Sequence, residues 1–419
     1  MAQLRHLSPA LLLLALPVQA QDTGGMLLTF GIEARVETSS NLDLEIPAEG
    51  STTQGTTRLS FGLLSETPTQ RLFFDASVAL RAATGPDVDS SDTGLTDPRA
   101  SLSYRKETAS TAIALYGSVR EDDIAFLRPL DDFVNEDGEV ELPDDLDDLN
   151  GTGQRLSQDL SAAIDWGTNS RLGMGLTATT TSLNYSDASP DLFDNRRDGL
   201  SARVRLSLSD VTEATLEATA SHFTDDDPTT GLRKTTSLNA DIVQSRPNGT
   251  ISANLNHTQT EDGTRTSFSF GRSMDLPLGA LSASLGLTHG VTGKTGVTGF
   301  LDYQRDGPNG SLLLRLSSAF VPDSDDLEQQ VTALRLGYNH ILGPTTTLGT
   351  TFSYVSTLET ETGLVTDNGS FGITLSRELT PDWTLDTGLR YDMRDEDGEG
   401  RANGNTLFLA LRRSFDTRF

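Results

Sequence analysis

From Met26 onward, apolar and polar residues alternate with a period of two, in segments of roughly 10 to 13 residues that end in Gly, Pro, Asn, Asp or Ser. The first segment sets Leu28, Phe30, Ile32, Ala34 and Val36 against Thr29, Gly31, Glu33, Arg35 and Glu37. The alternation recurs in Leu72/Phe74/Ala76/Val78/Leu80, Leu200/Ala202/Val204/Leu206/Leu208, Ala214/Leu216/Ala218/Ala220 and Leu281/Ala283/Leu285/Leu287. It closes with Leu407/Leu409/Leu411, continued in phase by Phe415 and Phe419. Side chains alternate across a strand, so each segment has one apolar and one polar face. No comparable stretch has the i, i+3, i+4 period of an amphipathic helix. The pattern predicts an all-β chain of about twenty antiparallel strands, with eighteen as the alternative count.

A soluble sandwich also alternates, and the connections separate the two cases. Tight connections at Glu66–Gln70, Glu107–Ser110, Gly167–Ser170, Asp210–Val211, Arg246–Gly249, Leu276–Gly279, Asp306–Gly310, Leu342–Pro344 and Leu379–Pro381 take turns with longer ones. The longer set includes Thr38–Gly55, Ala82–Pro98, Glu121–Gly153, Ser186–Asn195, Val321–Glu328, Leu358–Thr366 and Asp395–Gly404. Glu261-Asp262-Gly263 and the stretch 290–296 are short members of it, which predicts a low outer lip on that side. One tight rim and one long rim is the plan of a single transmembrane up-and-down β-barrel with short periplasmic turns and long acidic outer loops. Trp166 and Trp383 fall beside tight turns with outward parity, joined by Tyr303 and Tyr338; Tyr185, Phe223, Phe320, Tyr354 and Tyr391 lie near the opposite ends. Aromatic girdles at both headgroup boundaries fit this placement.

The segment from Thr406 to Phe419 runs as a strand to a final aromatic in phase with the outward set. It resembles the terminal strand of gram-negative outer-membrane β-barrel proteins, and the resemblance implies that Phe419 is a signal read by the barrel-assembly machinery. Before the strands, Arg5 and His6 precede the apolar run Leu11–Leu16, and Pro17-Val18-Gln19-Ala20 supplies a processing site. The expected organisation is therefore a cleaved signal peptide over 1–20 and one barrel over 21–419. Only Gln21–Gly25 separate the two, which leaves no room there for a plug domain.

The inward set is mostly small and polar, as in Ser201, Ser207, Ser237, Asn239, Ser252, Asn254, Ser282, Ser284, Gly286, Gly349 and Thr374. A barrel of about twenty strands is roughly 40 Å across, which such side chains cannot fill, so water is expected inside. Charged pore-lining positions predicted by parity are Arg58, Arg71, Asp75, Arg81, Asp159, Arg203, Arg205, Glu217, Arg315, Arg335, Arg390 and Arg412. Glu33, Glu213, Asp241 and Asp302 share that parity, and the bland alternative is that all these carboxylates simply brace the wall by pairing with arginines.

The third long connection is the expected constriction. It carries Asp131, Asp132, Asp144, Asp145, Asp147 and Asp148 among its carboxylates, with Arg128 as the single cation. It also holds Ile124, Phe126, Leu127, Leu130 and Phe133, for which a solvated loop has little use. The whole plan looks like that of the gram-negative porins, whose third outer loop folds into the barrel and sets acidic residues against a basic wall. The resemblance implies a passive diffusion channel, although about twenty strands exceed the sixteen to eighteen of porins.

Charge and composition narrow the function. The net charge of −28 excludes a phosphate-binding nucleic-acid surface, and lysine occurs only at Lys106, Lys234 and Lys294. The chain has no cysteine, so neither disulfides nor thiolate metal sites arise. Asp395-Glu396-Asp397-Gly398-Glu399-Gly400 lacks the distal carboxylate of a calcium loop, and no metal or cofactor is expected. His222, His257 and His289 come out lipid-facing near the outer rim, but Ser221 points to the opposite face from His222, so no hydrolase constellation forms and no enzyme is expected.

The expected function is a porin-like channel for small hydrophilic solutes that prefers cations. The alternatives are a surface-structural or binding barrel and a polymer exporter. Expected partners are outer-membrane lipid and lipopolysaccharide, divalent cations at the outer loops, and two further copies in a homotrimer.

Overall fold

The computed structural model of the protein describes residues 25–86, 88, 93–127, 130, 153–188, 192–226, 232–322, 328–398 and 400–419. The expected signal peptide over 1–20 and the six aspartates from Asp131 to Asp148 lie outside the described residues.

The strands are β1 (Met26–Ser39), β2 (Thr52–Thr67), β3 (Gln70–Thr84), β4 (Gly94–Glu107), β5 (Thr111–Asp123), β6 (Gln154–Trp166) and β7 (Leu172–Ser186). Next come β8 (Asn195–Ser209), β9 (Thr212–Asp225), β10 (Arg233–Arg246), β11 (Gly249–Gln259), β12 (Thr264–Leu276), β13 (Gly279–His289) and β14 (Thr295–Gly307). The last are β15 (Gly310–Pro322), β16 (Glu328–Gly343), β17 (Thr346–Glu359), β18 (Val365–Thr380), β19 (Trp383–Glu396) and β20 (Gly400–Arg418). Each pairs antiparallel with the next and β20 returns to β1, closing a 20-stranded sheet. The count is twenty, not eighteen. Tight turns join β2 to β3 and every even strand to its successor as far as β19, whereas the connections at the other rim are markedly longer only as far as β10; the expected long connection Asp395–Gly404 shrinks to 397–399 because β20 already begins at Gly400. Residues 260–263 separate β11 from β12 and 290–294 separate β13 from β14, as the sequence predicts, but 323–327, 360–364 and 397–399 between the later strand pairs are just as short, so the short-connection arc runs from β11 to β20.

Register fixes the two faces of the wall. Phe30 stands opposite Phe61 and Phe415, and Ile32 opposite Leu59. Leu216 stands opposite Ala240, which faces Leu255, which faces Phe268. These apolar rows form the outer surface, where Leu59, Leu80, Leu160, Leu200, Leu285 and Leu389 are all more than half exposed. Lipid tails, not a second protein layer, cover such a surface, which is why it carries no polar alternation of its own. The closing seam is aromatic: Phe30 and Phe415 stack with centroids 5.5 Å apart, and Phe61 lies 5.3 Å from Phe30 at a tilt of 57°. Backbone hydrogen bonds between Met26 and Phe419, at 3.1 and 3.0 Å, lock the ends of β1 and the chain terminus together.

The girdle beside the tight turns contains Trp166, Trp383, Tyr303 and Tyr338 on outward positions. At the other rim Tyr354, Phe371 and Tyr391 face outward, but Tyr185 and Phe223 do not. Phe223 pairs with Arg197 on the inner face and is buried, its ring 5.0 Å from the Arg197 guanidinium. Tyr185 pairs with the buried inner residue Arg155.

Candidate functional site

The inner face of β1 to β5 carries a dense charge cluster near the long-loop rim. Arg35, Arg58, Arg81 and Arg99 line a recess of ≈ 190 Å³ together with Glu33, Glu37, Asp97, Asp122, Asp123 and the ring of Phe126. Arg81 is its hub. Its guanidinium donates to Asp97 at 2.7 Å and to Asp123 at 2.9 Å, and its carbon centre lies 3.9 Å from the centroid of Phe126. Arg58 reaches the same Asp97 carboxylate at 3.8 Å from two strands away. Asp122, almost wholly buried, takes Arg99 at 3.0 Å and is also held by Arg120. Glu37 is held by Arg35 and by Gln54, each at 2.6 Å.

Local chemistry in β4 creates this arrangement. Pro98 has no N–H to offer the ladder, and the register between β3 and β4 shifts there, from Ser77 opposite Arg99 to Ala79 opposite Thr96. One extra residue in β4 is accommodated by Asp97 at φ 49°, a left-handed conformation that Asp tolerates better than most residues. The bulge turns the Asp97 side chain inward, where Thr96 also donates to it at 3.0 Å. The expected connection Ala82–Pro98 is therefore shorter, and its last five residues belong to the wall.

The chain leaving β5 bends into this recess. Ile124–Phe126 form a single 3-10 turn whose three side chains are buried, and Leu130 is 3% exposed. The hydrogen bond from the Ile124 amide to the Gly153 carbonyl, at 2.8 Å, brings the two ends of the third long connection together. Phe126 thus anchors the start of the connection against Arg81, with Ile124 and Leu130 also buried, while Phe133 lies outside the described residues.

The other predicted pore-lining residues are spread round the ring. All twelve share the inner face by register, but only Arg58 and Arg81 join the cluster. Arg71 lies at the tight-turn end opposite Glu66, and Asp75 accepts from Ser101. Asp159 accepts from Ser118 at 3.1 Å, and Glu217 stands opposite Arg203, which pairs with Asp165 at 2.6 Å. Arg205 pairs with Glu213 at 2.9 Å and also donates to the turn carbonyls of Gly167, Thr168 and Ser170. Arg315 pairs with Asp302 at 2.7 Å beside Arg335, Arg390 with Asp392 at 2.7 Å, and Arg412 with Asp386 at 2.6 Å. Asn239 accepts from Asn254 at 2.7 Å in the polar lining between them. Sequence parity misses Arg99 because it flanks the bulge, Arg120 because it stands near the end of β5 beside the third connection, and Asp97 and Asp122 because they fall in the expected connections; the Asp-Pro pair inside an alternating run is the available signal.

A second polar recess of ≈ 320 Å³ lies across the barrel, lined by Arg197, Ser237, Asn256, Thr258, Arg265 and Glu328 among others. The Glu328 carboxylate accepts the Val291 amide at 3.0 Å and faces Arg265 at 3.5 Å. The three histidines sit on the outer surface; His257 and His289 meet Thr266 and Thr295 at 2.8 and 2.9 Å, and His222 stands between Asp198 and Lys234.

No family model matches the sequence, and no curated protein matches it. Solved structures do share the fold. The chain is similar to the ferric enterobactin receptor PfeA of Pseudomonas aeruginosa, at a TM-score of 0.51 and 10% identity, over 92% of this chain and 80% of that one. It is also similar to the outer membrane protein OpdK of the same organism, at a TM-score of 0.45 and 10% identity, over 94% of this chain and 99% of that one. Closed ring, lipid-facing apolar exterior and polar interior make this a multi-pass outer-membrane β-barrel.

Proposed function

We propose that the protein is a channel for passive diffusion of small hydrophilic solutes, with a preference for cations. The observation that carries this reading is the charged recess of β1 to β5 with the turn Ile124–Phe126 folded into it: a polar lumen narrowed on one side by the start of its own third long connection.

The ion pairs supply the argument for the sign of selectivity. The wall arginines of the recess are met by carboxylates, as Arg81 is by Asp97 and Asp123 and Arg99 is by Asp122. Their positive field is thereby largely cancelled within a few ångströms. What is left over in a chain of net charge −28 is negative, and the sequence of the connection that leaves β5 at the recess, Glu121 to Gly153, is rich in carboxylates. A lumen of that sign enriches cations and slows anions, more strongly at low salt.

Single-channel recording in a planar bilayer with a potassium chloride gradient tests both halves. The full chain is expected to give stable openings with a reversal potential on the cation-selective side. Deletion of Asp131–Asp148 is expected to raise conductance and move the reversal potential toward zero. A folded barrel that never conducts would remove the channel reading.

A further inference from the structure

Most lumen arginines have carboxylate partners; a second set of basic side chains, five arginines and one histidine, does not among the described residues. On the outer face, the six even strands from β10 to β20 each present one basic side chain just before the tight turn that follows, or, on β20, beside the closing seam. These are Arg246, Arg272, Arg305, His340, Arg377 and Arg413. Their outward direction follows from register, since Arg272 stands opposite Ile251 and Ala283, Arg305 opposite Leu312, His340 opposite Leu348, Arg377 opposite Leu385, and Arg413 opposite Ile32 and Trp383.

Among the described residues none of the six enters an ion pair. Carboxylates are not scarce at that rim, because Asp275, Asp306, Glu378 and Asp416 occupy the same strand ends. Every one of them has the opposite parity and points into the lumen. On the outer face, the tight-turn ends of β10 to β20 thus carry basic side chains and no carboxylate, while the inner face carries these acids together with Arg412 and Arg418. An acidic chain that keeps its few cations unpaired on one arc of its lipid face leaves them for a negative partner outside the protein.

Their surroundings identify that partner. Arg413 lies 5.3 Å from the Trp383 ring and 5.8 Å from that of Phe415, while Tyr338 and His340 stack at 6.0 Å. The Arg272 guanidinium reaches back to Asn248 in the turn, at 2.8 Å, which draws it away from the tail region toward the headgroup level. One cation on every second strand spaces them about 10 Å apart along the rim.

We propose that this arc binds the phosphates of anionic phospholipid headgroups in the periplasmic leaflet. The aromatic rings hold the acyl boundary and the guanidinium groups reach the phosphates above it. The inference rests on the orientation of the barrel and not on its conduction.

Bromolipid quenching tests it. Trp166→Phe leaves Trp383, beside Arg413, as the sole tryptophan. In phosphatidylcholine vesicles doped with brominated lipid, Trp383 is expected to be quenched about threefold more by phosphatidylglycerol than by phosphatidylcholine at equal mole fraction. The preference is expected to vanish in Arg377→Gln/Arg413→Gln, to survive in Arg377→Lys/Arg413→Lys, and to collapse at high salt in the parent. The lysine pair and the salt titration decide the matter even where the glutamine pair fails to fold. Equal quenching by the two lipids in the parent, or a preference unchanged by the glutamine pair, would overturn the proposal. Channel recordings of the same variants stay at the parent conductance, so a silent barrel and a lipid-blind arc are separable results.

Discussion

Arg81 and Asp97 are bonded at 2.7 Å on adjacent strands, one with a side chain 5% exposed and the other held at φ 49° in a bulge. Removing Asp97 leaves Arg81 paired with Asp123, and removing Arg81 leaves Asp97 with the more distant Arg58, so each loss is expected to stay below the cost of about 3 kcal/mol for a buried charge stripped of every counterpart. Asp97→Asn and Arg81→Gln are each expected to lower the urea midpoint of the folded barrel within that bound. The double variant is expected to lose less than the sum, and a double-mutant cycle in lipid vesicles measures the coupling.

Phe126 seals the recess by lying against the same guanidinium, 3.9 Å away. Phe126→Ala removes a cation–π contact of about 2 kcal/mol and releases the start of the third connection from the wall. Single-channel conductance is expected to rise while the barrel remains folded, because the wall hydrogen bonds are untouched. An unchanged conductance would mean that the turn does not narrow the path.

Phe419 and Met26 exchange two backbone hydrogen bonds, and Phe415 stacks on Phe30. Deleting Phe419 removes that pair, at about 1 kcal/mol per bond, and Phe415→Ala strips a further aromatic contact from the seam. Both are expected to slow appearance of the heat-modifiable folded band in vesicles. In cells a larger effect of the Phe419 deletion than of Phe415→Ala is the expected outcome of the reading, implied by the resemblance of the terminal strand, that assembly machinery recognises this residue.

Gly249 opens β11 at φ 122°, and a Cβ there would run into the Ser273 carbonyl of β12. Gly249→Ala is expected to destabilise the barrel by more than the ~1 kcal/mol usual for a strained Gly-to-Ala change, read as a lower thermal midpoint.

The alternation of Leu28 to Val36 and its later copies was enough to read the ring, its even strand number and the two rims, because a wall between lipid and water forces period two on every strand. It was enough also for the inner face, including Arg58, Arg81 and Arg412. Parity says nothing about which inner residues meet, since that depends on stagger between strands. Asp97 was hidden for a second reason: one extra residue beside Pro98 breaks the phase by which an inward side chain is recognised. Tyr185 and Phe223 failed in the other direction, as aromatic residues that pack inside against Arg155 and Arg197 rather than in the outer girdle.

All sheet neighbours but one are consecutive in sequence; the exception joins β1 to β20. Nineteen hairpin pairings can form as the chain is laid down, while the twentieth must bring together segments separated by nearly the whole sequence. Once that seam is made, the ring has no geometrical first strand. Linking Phe419 to Met26 and cutting at any tight turn would give the same wall from a rearranged gene, so the place where this polypeptide starts is a matter of its synthesis and delivery, not of its architecture.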